Sequence, residues 1–167
     1  MTDRQTTYLY WSAGVATMVA VIVTVAIVVR RRRKAAAILS KFDSPDLPGS
    51  GRCMDRDFIR KLKKLQRKTG LPIFDWINSG ARSAYWNSKV GGVNNSSHKI
   101  PLCKAADIKA PTKAIRDRIV RAAKEVGFTR IGVGSAFVHL DSDTSKKQYV
   151  AWGYPAGTTP PINPFVV

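Results

Sequence analysis

Phe128-Thr129-Arg130-Ile131-Gly132-Val133-Gly134-Ser135-Ala136-Phe137-Val138-His139-Leu140-Asp141 is the stretch whose reading decides the fold. Phe128 to Val133 and Ala136 to Leu140 read as two strands separated by Gly134-Ser135. Alternate side chains of a strand share a face, so Phe137, His139 and Asp141 point one way and Val138 and Leu140 the other. Gln148 to Trp152 reads as a third strand. Leu71 to Ile77, broken by Pro72 and Asp75, reads as a short strand leading into Ser79-Gly80.

Helical spacing surrounds these segments. Phe58, Leu62 and Leu65 recur among Arg and Lys, with Gly70 where a C-terminal cap would sit. Ile115, Ile119, Ala122 and Val126 line one face of a second helix, with Pro111 in its first turn and Gly127 ending it. The expected class is α+β: a small antiparallel sheet with flanking helices, preceded by one N-terminal transmembrane helix.

That last element rests on Tyr8 to Val29, which holds no charged residue and is long enough to cross roughly 30 Å of hydrocarbon. Tyr8, Tyr10 and Trp11 stand at one end as an aromatic belt, and Arg30-Arg31-Arg32-Arg33-Lys34 closes the other. Residues 1–34 therefore read as an anchor in a lipid bilayer, its helix at about 8–29, and the expected localisation is that of a single-pass membrane protein. The five basic residues predict a cytoplasmic C-terminal side. Residues 35–52, with Ser44-Pro45 and Leu47-Pro48-Gly49-Ser50-Gly51, have the composition of a linker. One domain follows over 53–154, and a proline-rich tail over 155–167.

The chain has 167 residues and a net charge of +17, from 28 Lys and Arg against 11 Asp and Glu. Such a charge attracts polyanions: nucleic acid, anionic lipid or acidic wall polymers. Basic residues beside the apolar face of the second helix read first as a solvated surface. Cys53 and Cys103 lie in different segments without a CxxC pair, so no thiol-rich metal site is indicated; a disulfide between them stays open, with free thiols favoured.

The only two histidines, His98 and His139, each stand near a carboxylate in sequence, Asp107 and Asp141. A His/Asp/His set with an open fourth position is one way to write a catalytic zinc site. The competing reading is two unrelated surface histidines. Tyr85, Trp86 and Trp152 either line a groove or fill the core.

The run Ser79-Gly80-Ala81-Arg82-Ser83-Ala84-Tyr85-Trp86-Asn87-Ser88-Lys89-Val90-Gly91-Gly92, then Ser96-Ser97-His98, Ala105-Ala106-Asp107-Ile108 and Phe137-Val138-His139-Leu140-Asp141, resembles the zinc D-Ala-D-Ala carboxypeptidase family. Cell-wall D,D-peptidases, vancomycin-resistance dipeptidases and phage L-Ala-D-Glu endolysins belong to that family. The resemblance covers about Asp57 to Trp152. It implies Zn2+ held by His98, Asp107 and His139, with Arg82 contacting substrate and stabilising charge at the scissile carbonyl, and Ser96 beside the site as a substrate-binding hydroxyl. Two departures stand out. Six residues, Lys99 to Lys104, separate His98 from Ala105 without the usual glycine, which makes Cys103 an alternative ligand. The acid expected three positions before the last histidine is Ala136, which leaves Asp141 as the candidate general base or as the group that orients His139, with Asp143 behind it.

The implied function is a membrane-anchored zinc metallopeptidase acting on peptidoglycan stem peptides, a wall-degrading hydrolase of a bacterial virus being one version. An inward-facing domain cannot meet the wall, and a virion membrane would resolve that conflict. The alternative is a weak or inactive basic membrane protein that uses the same fold to bind nucleic acid or an anionic surface.

Overall fold

The computed structural model describes residues 3–166, with side chains described from Met18 onward. It contains two compact units, Met1–Ala37 and Ile38–Val167. The first is occupied by α1 (Asp3–Leu39), whose last two residues belong to the second unit. Among the described residues, no helix is long and apolar enough to cross a membrane. This corrects the expected transmembrane helix and, with it, the single-pass localisation. The apolar run whose side chains are described extends only from Met18 to Val29, about 18 Å of helix against about 30 Å of hydrocarbon. The side chains of 8–17 lie outside the described residues.

The second unit is built on a five-stranded sheet: β1 (Ile77–Ser79), β2 (Ala105–Lys109), β3 (Arg130–Val133), β4 (Phe137–Asp141) and β5 (Val150–Gly153), in the order β1-β2-β4-β3-β5. The sheet is mixed rather than antiparallel, because β5 runs parallel to β3 while every other pairing is antiparallel. β4 is already paired on both edges, and the returning chain adds at the free edge of β3, where Val150 N bonds the Thr129 carbonyl (2.9 Å).

Two helices cover one face. α2 (Arg56–Thr69) starts at Asp55, whose carboxylate accepts the Phe58 N–H (2.8 Å), and ends at Gly70 in the left-handed region (φ 66°). α4 (Lys113–Glu125) starts at Thr112, so Pro111 precedes the cap instead of sitting in the first turn. Phe58, Leu62 and Leu65 from α2 and Ile119, Val120 and Ala123 from α4 join Ile108, Ile131, Val133, Val138 and Leu140 of the sheet in one buried core. A short α3 (Ala84–Lys89), capped by Ser83, has no counterpart in the expected elements. Ile73–Trp76 is a 3-10 turn rather than strand, since Pro72 accepts bonds from Asp75 N and Trp76 N.

From Ile38 the turn-rich segment is folded: Phe42 is fully buried and Ala81 N bonds its carbonyl (2.8 Å). A Cβ on Gly80 would stand 2.6 Å from Phe42 Cα, so only glycine permits this contact. Cys53 and Cys103 form a disulfide with Cα atoms 5.8 Å apart, correcting the expectation of free thiols. The Asp55 N–H bonded to the Cys103 carbonyl (3.1 Å) brings the two segments together across a sequence gap that composition does not reveal.

Candidate metal centre

The face of the sheet away from α2 and α4 carries a row that crosses all five strands. Register pairs Ser79 with Asp107, Asp107 with His139, His139 with Gly132, and Gly132 with Trp152. Paired residues on one face have Cβ atoms about 4.5–5.5 Å apart, which places the Asp107 carboxylate beside the His139 ring. His98 reaches the same point from a loop. That loop is held because Arg82 N bonds the His98 carbonyl (2.8 Å) and Ile100 N bonds the Arg82 carbonyl (3.0 Å).

His98, Asp107 and His139 converge, with donor atoms within 4.8 Å of one another, and could hold a metal ion. His139 Nδ1 lies 2.8 Å from Asp107 Oδ1 and 3.2 Å from His98 Nε2, and His98 Nε2 lies 3.5 Å from Asp107 Oδ1. Ligands bound tetrahedrally at about 2.1 Å stand roughly 3.4 Å apart. The observed separations bracket that value, so the donor set fits a small divalent cation with little rearrangement.

Two of the donors are hydrogen-bonded from behind and the third has a carboxylate nearby, the arrangement that fixes tautomers at metal sites. His98 Nδ1 donates to the Gly80 carbonyl (2.6 Å), which leaves Nε2 free as a donor to metal. Asp107 Oδ2 accepts from Arg82 Nη2 (2.6 Å), and Arg82 Nε donates to Ser79 Oγ (2.9 Å). His139 turns Nε2 toward Asp141 Oδ2 (3.9 Å). Burial holds the His98 imidazole below its ordinary pKa. Burial opposes the charged form of His139 as well, but the hydrogen bond to Asp107 and the nearby Asp141 carboxylate outweigh it and raise this ring. Burial likewise acts to raise Asp107, yet hydrogen bonds from both histidines hold it well below the carboxylate range.

The other expected residues fall into distinct places. Asp141 is 2% exposed and takes three hydrogen bonds: Oδ1 accepts Asp143 N (2.7 Å), and Oδ2 accepts Ser97 Oγ (2.9 Å) and Arg130 Nε (3.0 Å). Ser96 Oγ accepts the His98 N–H (3.3 Å) within the loop. Asp143 faces Ser97 and Ser145, away from the metal donors. Cys103 is spent in the disulfide and cannot ligate. Of the three aromatics left open, Tyr85 is exposed, Trp86 packs against Lys89, and Trp152 lies on His139 with ring centroids 5.3 Å apart.

Four participants have no role assigned from the sequence: Ser97, Arg130, the Gly80 carbonyl and Gly132. A Cβ on Gly132 would meet Tyr154 Cε2 at 2.8 Å and Trp152 Nε1 at 2.9 Å, so glycine here lets the two rings close over the sheet beside His139. Phe137 continues that wall against Tyr154 (4.8 Å). The result is a three-donor cluster, its histidines buried and its carboxylate partly exposed, with a cation behind that carboxylate and an aromatic wall on one side.

A family model described as Peptidase M15 matches residues 26–141, more than half of the chain. No curated protein and no solved structure matches it.

Proposed function

From the premise that the chain belongs to the peptidase M15 family, that of the zinc D-Ala-D-Ala carboxypeptidases, we propose that it is a zinc peptidase cleaving the peptide stems of peptidoglycan, with His98, Asp107 and His139 as the metal ligands. The observation that carries this reading is the convergence of these three side chains at metal-ligand spacing, with His98 and Asp107 each hydrogen-bonded to an orienting partner. Zinc at such a site polarises a carbonyl and lowers the pKa of a bound water toward neutrality.

The chain's own groups do the rest. Gly80 fixes the His98 tautomer, and Arg82 fixes the second oxygen of Asp107 while keeping a positive charge beside the cluster, where negative charge develops in acyl transfer. Asp141 acts as a positioning residue for His139, because it lies buried beside that ring, with Oδ2 3.9 Å from Nε2, and does not face solvent. Trp152, Tyr154 and Phe137 exclude water from one side and offer an apolar surface to a stem peptide.

The test is direct. The full-length protein should bind one zinc, His98→Ala or His139→Ala should abolish binding, and fragments released from purified peptidoglycan should disappear with it. Zinc bound by the wild type without release of any stem fragment would overturn the peptidase reading in favour of a binding module.

A further inference from the structure

α2 and α4 pack side by side on the sheet face opposite the metal cluster, with Lys61 Nζ on the Gly127 carbonyl (2.7 Å) and Lys68 paired with Glu125. Their outward surfaces are basic well beyond what solubility needs. α2 holds seven Lys and Arg against one carboxylate, and α4 five against two. Arg56, Arg60, Lys63, Lys64 and Arg67 are all exposed and recur at i, i+4, i+7, i+8 and i+11, a single stripe roughly 16 Å long. Exposed Arg118, Arg121 and Lys124 extend it onto α4.

Few of these charges are answered within the chain. Asp57 pairs with Arg60, Glu125 with Lys68, and Asp117 with Lys113 and buried Arg116; among the described residues, Lys63, Lys64, Arg67, Arg118 and Arg121 have no ion-pair partner. Like charges at i,i+3 and i,i+4 destabilise a helix. A polyanion laid along the stripe would remove that repulsion and gain from released counterions.

We propose that this two-helix face binds the carboxylate-bearing stem peptides of the peptidoglycan mesh, docking the domain on its polymeric substrate while the metal cluster on the other face engages a neighbouring stem. The inference rests on the peptidoglycan reading of the cluster. A mesh surrounds the domain and meets both faces at once, whereas a nucleic acid on the stripe would bring the cluster nothing to hydrolyse. Every uncross-linked stem carries free carboxylates, so the mesh supplies charge complementary to the stripe.

The experiment compares the full-length chain with Lys63→Glu/Lys64→Glu/Arg67→Glu, a change confined to exposed positions. Both are sedimented with purified sacculi, native or with their carboxylates amidated. The wild type should bind native sacculi with an affinity that falls on the order of 10²-fold between 50 and 200 mM salt. Charge reversal or amidation should each weaken binding at least tenfold, with hydrolysis of a small soluble stem peptide unchanged by the variant. Equal binding of variant and wild type, binding indifferent to amidation, or displacement by duplex DNA at lower charge concentration than soluble stem peptides would each overturn docking. If neither protein cleaves the soluble peptide while sacculus binding follows the expected pattern, docking stands and the peptidase reading fails.

Discussion

Asp141→Asn separates a residue that positions His139 from one that transfers protons. The wild-type carboxylate takes three hydrogen bonds, from Asp143 N, Ser97 Oγ and Arg130 Nε, at 2.7–3.0 Å, and its side chain is 2% exposed. The amide has the same shape but only one acceptor oxygen. Either Arg130 and Ser97 or the Asp143 N–H then meets an NH2 group, and the Arg130 charge, 12% exposed, loses its counterion. Breaking one side of a buried pair costs about 3–5 kcal/mol. Arg130 keeps the Lys147 carbonyl and the face of Trp152 (5.3 Å), so the lower end, about 3 kcal/mol, applies. Loss of the orienting group should also weaken zinc binding by about 10–100-fold. Urea unfolding of the metal-free protein measures the first quantity and zinc titration calorimetry the second. Burial acts to raise the Asp141 carboxyl, but the nearby His139 ring and hydrogen bonds from Asp143 N and Arg130 hold it far below the ordinary range. A depressed carboxyl stabilises the fold above its unfolded pKa, so the difference between wild type and variant should be full at neutral pH and shrink below about pH 4. Unchanged stability and zinc affinity with hydrolysis lost would refute the reasoning and make Asp141 the general base.

Gly132→Ala should drive Trp152 and Tyr154 off the sheet, costing about 1–3 kcal/mol as overpacking and changing the fluorescence of the tryptophan lying on His139; an unchanged spectrum with native stability would contradict it. Removing the Cys53–Cys103 disulfide by the double serine variant should cost about 4 kcal/mol, the chain-entropy value for a closed loop of this length, read as a shift in urea midpoint. Because His139 keeps its proton above the ordinary histidine range while buried His98 does not, zinc must displace about one proton, and its affinity should rise with pH from 6 to 8. Calorimetry in buffers of different ionisation enthalpy counts that proton, and none released at pH 6.5 would rule the coupling out.

What was legible in the chain followed local periodicity. Phe58, Leu62 and Leu65, or Ile115, Ile119 and Ala122, repeat with the helix, and the Phe128–Asp141 stretch alternates with the strand. β2 was not legible, because Ala105-Ala106-Asp107-Ile108-Lys109 has little β-propensity and becomes a strand through pairing with β1 on one edge and β4 on the other. The parallel placement of β5 and the disulfide depend on which distant segments meet, and no local pattern encodes that. The membrane span was an inference from uncharged length, an aromatic end and a basic stop, and the described part of α1 does not carry it.

The ligand set depends on register more than on the ligands themselves. Asp107 faces His139 because β2 pairs with β4 so that Ile108 meets Val138 and Ala106 meets Leu140 on the opposite face. A slip of one residue would exchange the two faces, turning Ile108 to the metal donors and burying the Asp107 carboxylate under α2 and α4. That exchange would move fully buried Ile108 out of the core and place an unpaired charge there, each costing several kcal/mol. The apolar rows therefore hold the donors in line, and Gly132, next in the same row, leaves the space that Trp152 fills over His139. By this reasoning, Ile108→Ala, a substitution pointing away from the cluster, should both destabilise the fold by about 2–5 kcal/mol and loosen zinc binding. Calorimetric zinc affinity identical to wild type in a clearly destabilised Ile108→Ala protein would show that the loop and the ligands hold the site without the core.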